Sequence, residues 1–211
     1  MQHYLKVIIL EILFICVYSI KSLATQPIKK NLQDIVYSNE WFSVNIPKGW
    51  EYADSTWEKN EFKKVGFEMN ISNSLYGDAW ITIVRSTTPI PWESPKQAAE
   101  LSRSLKELPQ DEAMKYGVQQ DPNYIGVLTE KDSIEIGGLP AYCTVYEFSA
   151  EDEDTLMNFQ FTVLDPEDNQ LYYVNQNMYF STVNNNTQLI DECNNILFSL
   201  RFKRKNSKRR L

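Results

Sequence analysis

The sequence predicts one α+β domain built on a mostly antiparallel sheet flanked by helices. Three observations carry this. Short β-type runs recur through the chain with turn residues between them. Helical apolar spacing shows in two places only, near the middle and at the end. Strands grouped in runs, with helices apart from them, fit an α+β arrangement better than alternating βαβ units.

In chain order, Trp41 to Ile46 alternates like a strand and stops at Pro47-Lys48-Gly49-Trp50, which reads as a turn. Val65 to Ile71 and Ala79 to Ser86 are further strands, separated by a break at Tyr76-Gly77-Asp78. Ser94-Pro95-Lys96-Gln97 opens a helix: Ser94 caps, Pro95 suits the first helical position and Gln97 completes a capping box. The stripe Ala98, Leu101, Leu105, Leu108 should face the sheet, and Pro109 ends the helix. Tyr124 to Glu130, Asp132 to Ile136 and Ala141 to Ser149 are strand-like, the last two joined by a turn at Gly137-Gly138. Leu156 to Leu164 and Leu171 to Phe180 form a long hairpin around Asp165-Pro166-Glu167-Asp168-Asn169. The last helix runs from about Gln188 to Ser199, capped by Asn186 or Thr187, with Leu189, Ile190, Cys193, Ile196, Leu197 and Leu200 on one apolar face.

The first 24 residues have the pattern of an export signal. Lys6 precedes an apolar run from Val7 to Ile20, and Ser22-Leu23-Ala24 offers a signal-peptidase site. The run is short for a spanning helix and Glu11 interrupts it, which disfavours a permanent anchor. Ile15 before Cys16 disfavours lipidation. The expected division is a signal over 1–24, one domain over 25–202 and a basic, disordered tail over 203–211, in a periplasmic or secreted protein. With 43% hydrophobic residues in the chain, the domain has enough apolar material for a single core.

Charge is divided unevenly. Thr25 to Leu200 carries 27 acidic side chains against 12 basic ones, whereas Arg201 to Leu211 carries seven basic and no acidic residues. An acidic body argues against nucleic-acid binding. The tail suits contact with an anionic surface. The only histidine is His3, within the signal, so the exported part has none. That removes Ser-His-Asp and Cys-His nucleophile systems, imidazole general-base chemistry and the usual zinc sites.

Two cysteines remain after processing, Cys143 and Cys193. Export permits a disulfide between them, and each also falls where a buried free thiol fits; both alternatives stand at this stage. The acidic turns at Glu151-Asp152-Glu153-Asp154 and Asp165-Glu167-Asp168 lie at opposite ends of one strand and lack a Ca²⁺-loop pattern. They read as solvated turns, and no metal or cofactor is expected. Trp50, Tyr52, Trp57 and Trp92 fall in turn or loop contexts and form the candidate binding residues. Loop aromatics beside an acidic surface suit a basic or peptide-like protein partner.

The order of elements resembles the PsbP-like family, which includes extrinsic photosystem proteins, bacterial DcrB-like proteins and Mog-type Ran-binding proteins. The likeness rests on the opening segment Trp41-Phe42-Ser43-Val44-Asn45-Ile46-Pro47-Lys48-Gly49-Trp50 and on Ile134-Glu135-Ile136-Gly137-Gly138-Leu139-Pro140-Ala141. The hairpin with Tyr172 and Tyr173 and a closing helix running into Phe198 to Phe202 complete it. These are packing motifs. The resemblance implies a Mog/PsbP-like α/β/α sandwich and a non-enzymatic binding or assembly role in the cell envelope, with no common catalytic set. The alternatives are a carboxylate-dependent hydrolase, and an immunity or inhibitor protein whose acidic body mimics a substrate.

Overall fold

The computed structural model describes residues 29–30, 33–59, 64–73, 79–86, 92–115, 120–149, 154–167 and 169–203. The expected signal over 1–24, the tail beyond Lys203 and the acidic residues 151–153 and 168 lie outside the described residues.

Eleven strands and four helices are described. The strands are β1 (Lys29–Lys30), β2 (Ile35–Ser38), β3 (Phe42–Ile46), β4 (Trp50–Lys59), β5 (Lys64–Asn73), β6 (Ala79–Ser86), β7 (Tyr124–Ile136), β8 (Leu139–Ser149), β9 (Thr155–Asp165), β10 (Gln170–Tyr179) and β11 (Arg201–Phe202). The helices are α1 (Pro95–Lys106), α2 (Gln110–Lys115), α3 (Phe180–Asn185) and α4 (Thr187–Ser199). β1, β4, β5, β6, β10, β9, β8 and β7 form, in that order, an eight-stranded sheet, and β11, β3 and β2 form a smaller one. Every pairing is antiparallel.

Alternation along the strands separates the two faces of the large sheet. On one face Trp50, Ile71, Ile81, Ile83, Val174, Met178, Val163 and Ala141 meet Phe42, Val44 and Ile46 of the small sheet and Leu189, Cys193, Ile196 and Leu197 of α4. This is the main core. On the other face α1 lies over β8 and β9. The α1 side of the sheet has a smaller apolar cluster of Val84, Leu164, Leu171 and Tyr173 beneath Ala98, with Trp92 at its border. The result is three layers: α1, the eight-stranded sheet, and the small sheet with α4.

The caps form as the sequence predicts. Ser94 Oγ accepts from Gln97 N, and Gln97 Oε1 accepts from Glu93 N. Asn186 Oδ1 accepts from Leu189 N at the start of α4. The buried stripe of α1 is Ala98, Ala99, Ser102 and Leu105, rotated from the expected one, with Leu101 and Leu108 only half-buried. Tyr124 to Ile136 is one strand instead of two. Three irregularities absorb the break, and Ser133 at the third has φ 58°. α2, α3, β1, β2, β4 and β11 were not expected. β4 is rich in Glu, Asp, Ser and Thr, which reads as loop in isolation, and only its pairing with β5 reveals it.

Candidate functional site

The four aromatic candidates do not meet in one groove. Gly49, at φ 88°, completes the predicted turn, and Trp50 is the first residue of β4. Its ring is fully buried, and its Nε1–H donates to Glu192 Oε2 at 2.9 Å, tying β4 to α4. Trp50 is therefore core and not a loop residue open to a partner. Tyr52, on the same side of the same strand, is half-buried and sits edge-on to Tyr37 at 5.6 Å. Tyr37 OH in turn donates to Asp54 Oδ2 at 2.6 Å, and burial, then that contact, pushes the Tyr37 phenol well above its ordinary range. Trp57 is a β4 residue opposite Gly66, and its side chain lies outside the described set. Trp92 does lie in a loop, half-buried, its backbone N donating to Asn169 Oδ1 at 3.1 Å. It packs on the α1 side of the sheet, across from Trp50 and Tyr52.

Of the two cysteine readings, the structure carries the unbonded one. Cys143 and Cys193 are free thiols, buried in different clusters: Cys193 in the main core on α4, Cys143 with Val145 and Met157 on the sheet. Burial pushes the Cys143 thiol up to about 11 and the Cys193 thiol up to about 12. Both are protonated at neutral pH and poor nucleophiles.

The acidic turns serve the fold where they are described. Asp154 accepts from Ser181 Oγ at 2.6 Å, Ser181 N at 3.3 Å and Thr155 N at 2.8 Å. These bonds, the hydroxyl first, lower its carboxyl and pin the first turn of α3 to β9. Asp165 accepts from Glu167 N within the hairpin turn. Among the described residues no three His, Cys, Asp or Glu side chains are placed to hold a metal ion. No described helix is long and apolar enough to cross a membrane.

Two surfaces emerge that the sequence did not single out. The first is a polar floor beneath α1. Register places Thr144, Gln160, Asn175 and Thr82 side by side across β8, β9, β10 and β6. In the next row Asn158 Nδ2 donates to Asn177 Oδ1 at 2.7 Å. Thr144 Oγ1, Thr162 Oγ1 and Gln160 Nε2 are sealed from solvent without a protein hydrogen-bond partner. Where this floor ends, the Lys106 ammonium lies 4.8 Å from the Tyr146 ring and 5.8 Å from the Phe148 ring, beside a cleft of about 380 Å³ bordered by Gln110, Gln120 and Asp121.

The second surface is an apolar corner at the β7 edge, on the face opposite α1. Cys143, Val145 and Met157 are buried there, with Phe159, Phe161, Ile134 and Val183 only partly covered. On β7 itself, Ile125 and Leu128 are each 56% exposed. Each falls at a register shift of β7, skipped in the pairing with β8. Bulges twist an edge strand and leave a residue without a cross-strand partner, which blunts the edge against strand addition. They also turn two large apolar side chains outward.

No protein-family model matches the chain, and no curated protein matches it. Among solved structures it is similar to the solution structure of cyanobacterial PsbP (CyanoP) from Synechocystis sp. PCC 6803, with a TM-score of 0.50, 11% sequence identity, and coverage of 82% of this chain and 94% of that one. The crystal structure of LpqN, involved in cell envelope biogenesis of Mycobacterium tuberculosis, aligns with a TM-score of 0.40 and 12% identity over 89% of this chain and 97% of that one. The fold is thus the PsbP-like α+β sandwich that the order of elements led us to expect.

Proposed function

We propose that this PsbP-fold domain is an exported, non-enzymatic binding or assembly protein of the cell envelope that docks a protein partner at the β7 corner. The carrying observation is the pair Ile125 and Leu128, two large apolar side chains exposed at bulges of the edge strand β7. Large apolar side chains grouped on a surface mark interaction sites. The strongly acidic body around such a corner favours a partner with a basic rim. The leader-like first 24 residues support export. The high thiol pKa values and the lack of histidine after the leader favour binding over nucleophilic catalysis.

The test is affinity capture from the native envelope fraction with the chain 25–211, run beside the double variant Ile125→Glu, Leu128→Glu. A partner that the unmodified protein brings down reproducibly should fall by about tenfold or more with the variant, because two anchors at the contact centre are lost and charge is placed there. Equal recovery by both proteins removes the corner from the interface.

A further inference from the structure

Arg85 is buried, and no ion pair among the described residues includes it. It lies on β6 in register with Tyr172 of β10, so it points toward the main core, the side that faces α4 and the small sheet. The residue is 9% exposed. Its guanidinium carbon sits 5.0 Å from the centre of the Trp41 ring, and its Nε is sealed from solvent without a hydrogen-bond partner. On that face Asp54 and Glu58 of β4 and Asp165 of β9 are the acidic residues nearest in register, each two strands away and one row along, and the Glu58 side chain lies outside the described set. Asp54 accepts from Tyr37 OH, and Asp165 from Glu167 N. The ion pairs among the described residues are Lys96–Glu100, Arg103–Glu107 and Arg103–Glu130, none of which includes Arg85.

A guanidinium carries five N–H donors and a permanent charge. Removing it from water is costly, and a ring face returns only part of that cost. A protein of net charge −7 has many carboxylates with which to neutralise such a group, yet among the described residues none is paired with it. The roof over it is held firmly. Trp41 N donates to Asn39 Oδ1 at 2.9 Å, and Trp41 O accepts from Lys203 N at 2.7 Å. Lys203 brings a second cation to this end of the sheet, and its ammonium binds Ser38 Oγ and the carbonyl of Asn39, again with no carboxylate. A firmly held aromatic roof over a guanidinium whose Nε is sealed without a partner makes a preorganised anion site.

We propose that Arg85, roofed by Trp41, is the recognition residue of a site for a small oxyanion group, a carboxylate or a phosphate. With Nε sealed, the ligand meets the guanidinium end-on, through its two terminal nitrogens. This site is separate from the β7 corner, and its ligand is a small molecule or headgroup, so the two readings fail independently.

The experiment is a ¹H–¹⁵N titration of the purified protein that follows the Arg85 Nε–H and Trp41 indole resonances. Three probes are added in turn: inorganic phosphate, acetate, and dihexanoyl-phosphatidylglycerol. The expected result is a saturable shift of both resonances with at least one probe. Phosphate alone would indicate a free anion, acetate alone a carboxylate, and a clearly tighter response to the lipid a headgroup. Arg85→Met should weaken that probe by roughly tenfold or more, as loss of charge-assisted hydrogen bonds predicts. Arg85→Lys should retain part of the affinity. Absence of a saturable shift with all three probes overturns the proposal, and so does binding that Arg85→Met leaves unchanged, which would mean an adventitious ion only. If Arg85→Met does not fold, the titration of the unmodified protein decides alone.

Discussion

Gly137 and Gly138 share one two-residue turn between β7 and β8, with φ of 62° and 84°, but they answer to different constraints. A Cβ on Gly137 would stand 2.8 Å from Phe202 Cδ2 and 2.9 Å from the Leu200 carbonyl oxygen; a Cβ on Gly138 would meet nothing within 4 Å. The positive φ at both sites suits the turn that matches the twist of a hairpin. Only Gly137 is also pressed against the residues that follow α4, where Phe202 stacks on Tyr172 at 4.4 Å. We therefore expect Gly137→Ala to lower stability by about 2–4 kcal/mol, combining backbone strain with displacement of Phe202, and Gly138→Ala by about 1 kcal/mol from the backbone alone. Urea unfolding of the two variants checks this, and equal midpoints would show that the contact with Phe202 yields without cost.

At the scale of elements, the two long helices rest on different floors. α4 buries Leu189, Cys193, Ile196 and Leu197 in the main core, and its partner Trp50 is anchored through Glu192. α1 buries Ala98, Ala99, Ser102 and Leu105, mostly small side chains, over a sheet face rich in Thr, Asn and Gln. Its tie to β7 through Arg103 and Glu130, at 2.9 Å, joins partly exposed groups and contributes at most about 1 kcal/mol. Burial of apolar area scales the stabilisation, so α1 should open at lower free energy than α4. Native-state hydrogen exchange should show α1 amides exchanging measurably before those of α4, under conditions where α4 exchanges only by global unfolding. Simultaneous exchange would mean that the polar floor holds α1 as firmly as the core holds α4.

At the scale of the molecule, pH acts through protons that the fold retains. The thiols of Cys143 and Cys193 are raised from an ordinary 9.0 to about 11 and about 12. Above pH 9 the unfolded chain releases these protons while the folded chain keeps them, so the unfolded state binds fewer protons and stability falls as pH rises. The contribution is intact below about pH 9 and is lost progressively toward pH 12. Tyr37, Tyr124 and Tyr142, raised mainly by burial, extend the loss in the same direction. Thermal unfolding from pH 8 to 11 should show a declining Tm, with a shallower decline for Cys143→Ala, Cys193→Ala. An unchanged slope in that variant would assign the whole effect to the tyrosines.

The strands β6, β8, β9 and β10, both long helices and the Gly137-Gly138 turn were legible in the residues because their signals are local: alternation, a 3.6-residue stripe, capping side chains and turn glycines. The inward direction of Cys143 and Cys193 followed from the same periodicities. The free state of the thiols did not, since proximity between β8 and α4 is set by layer packing that spacing does not encode. Nor did the fate of the aromatics. Trp50 looked like a turn residue because the polar run after it hides a strand, and pairing with β5 makes it core. The polar floor, the β7 corner and the buried Arg85 arise from register across strands far apart in the chain. A row of side chains exists only once those strands are aligned. The sequence by itself determined the types of most of the longer elements, the α+β class, the excess of acidic residues and the lack of histidine after residue 3, because these depend on composition and short-range pattern. The tertiary structure alone decided which side chains share a surface and which charged group is buried, because both depend on long-range pairing and packing.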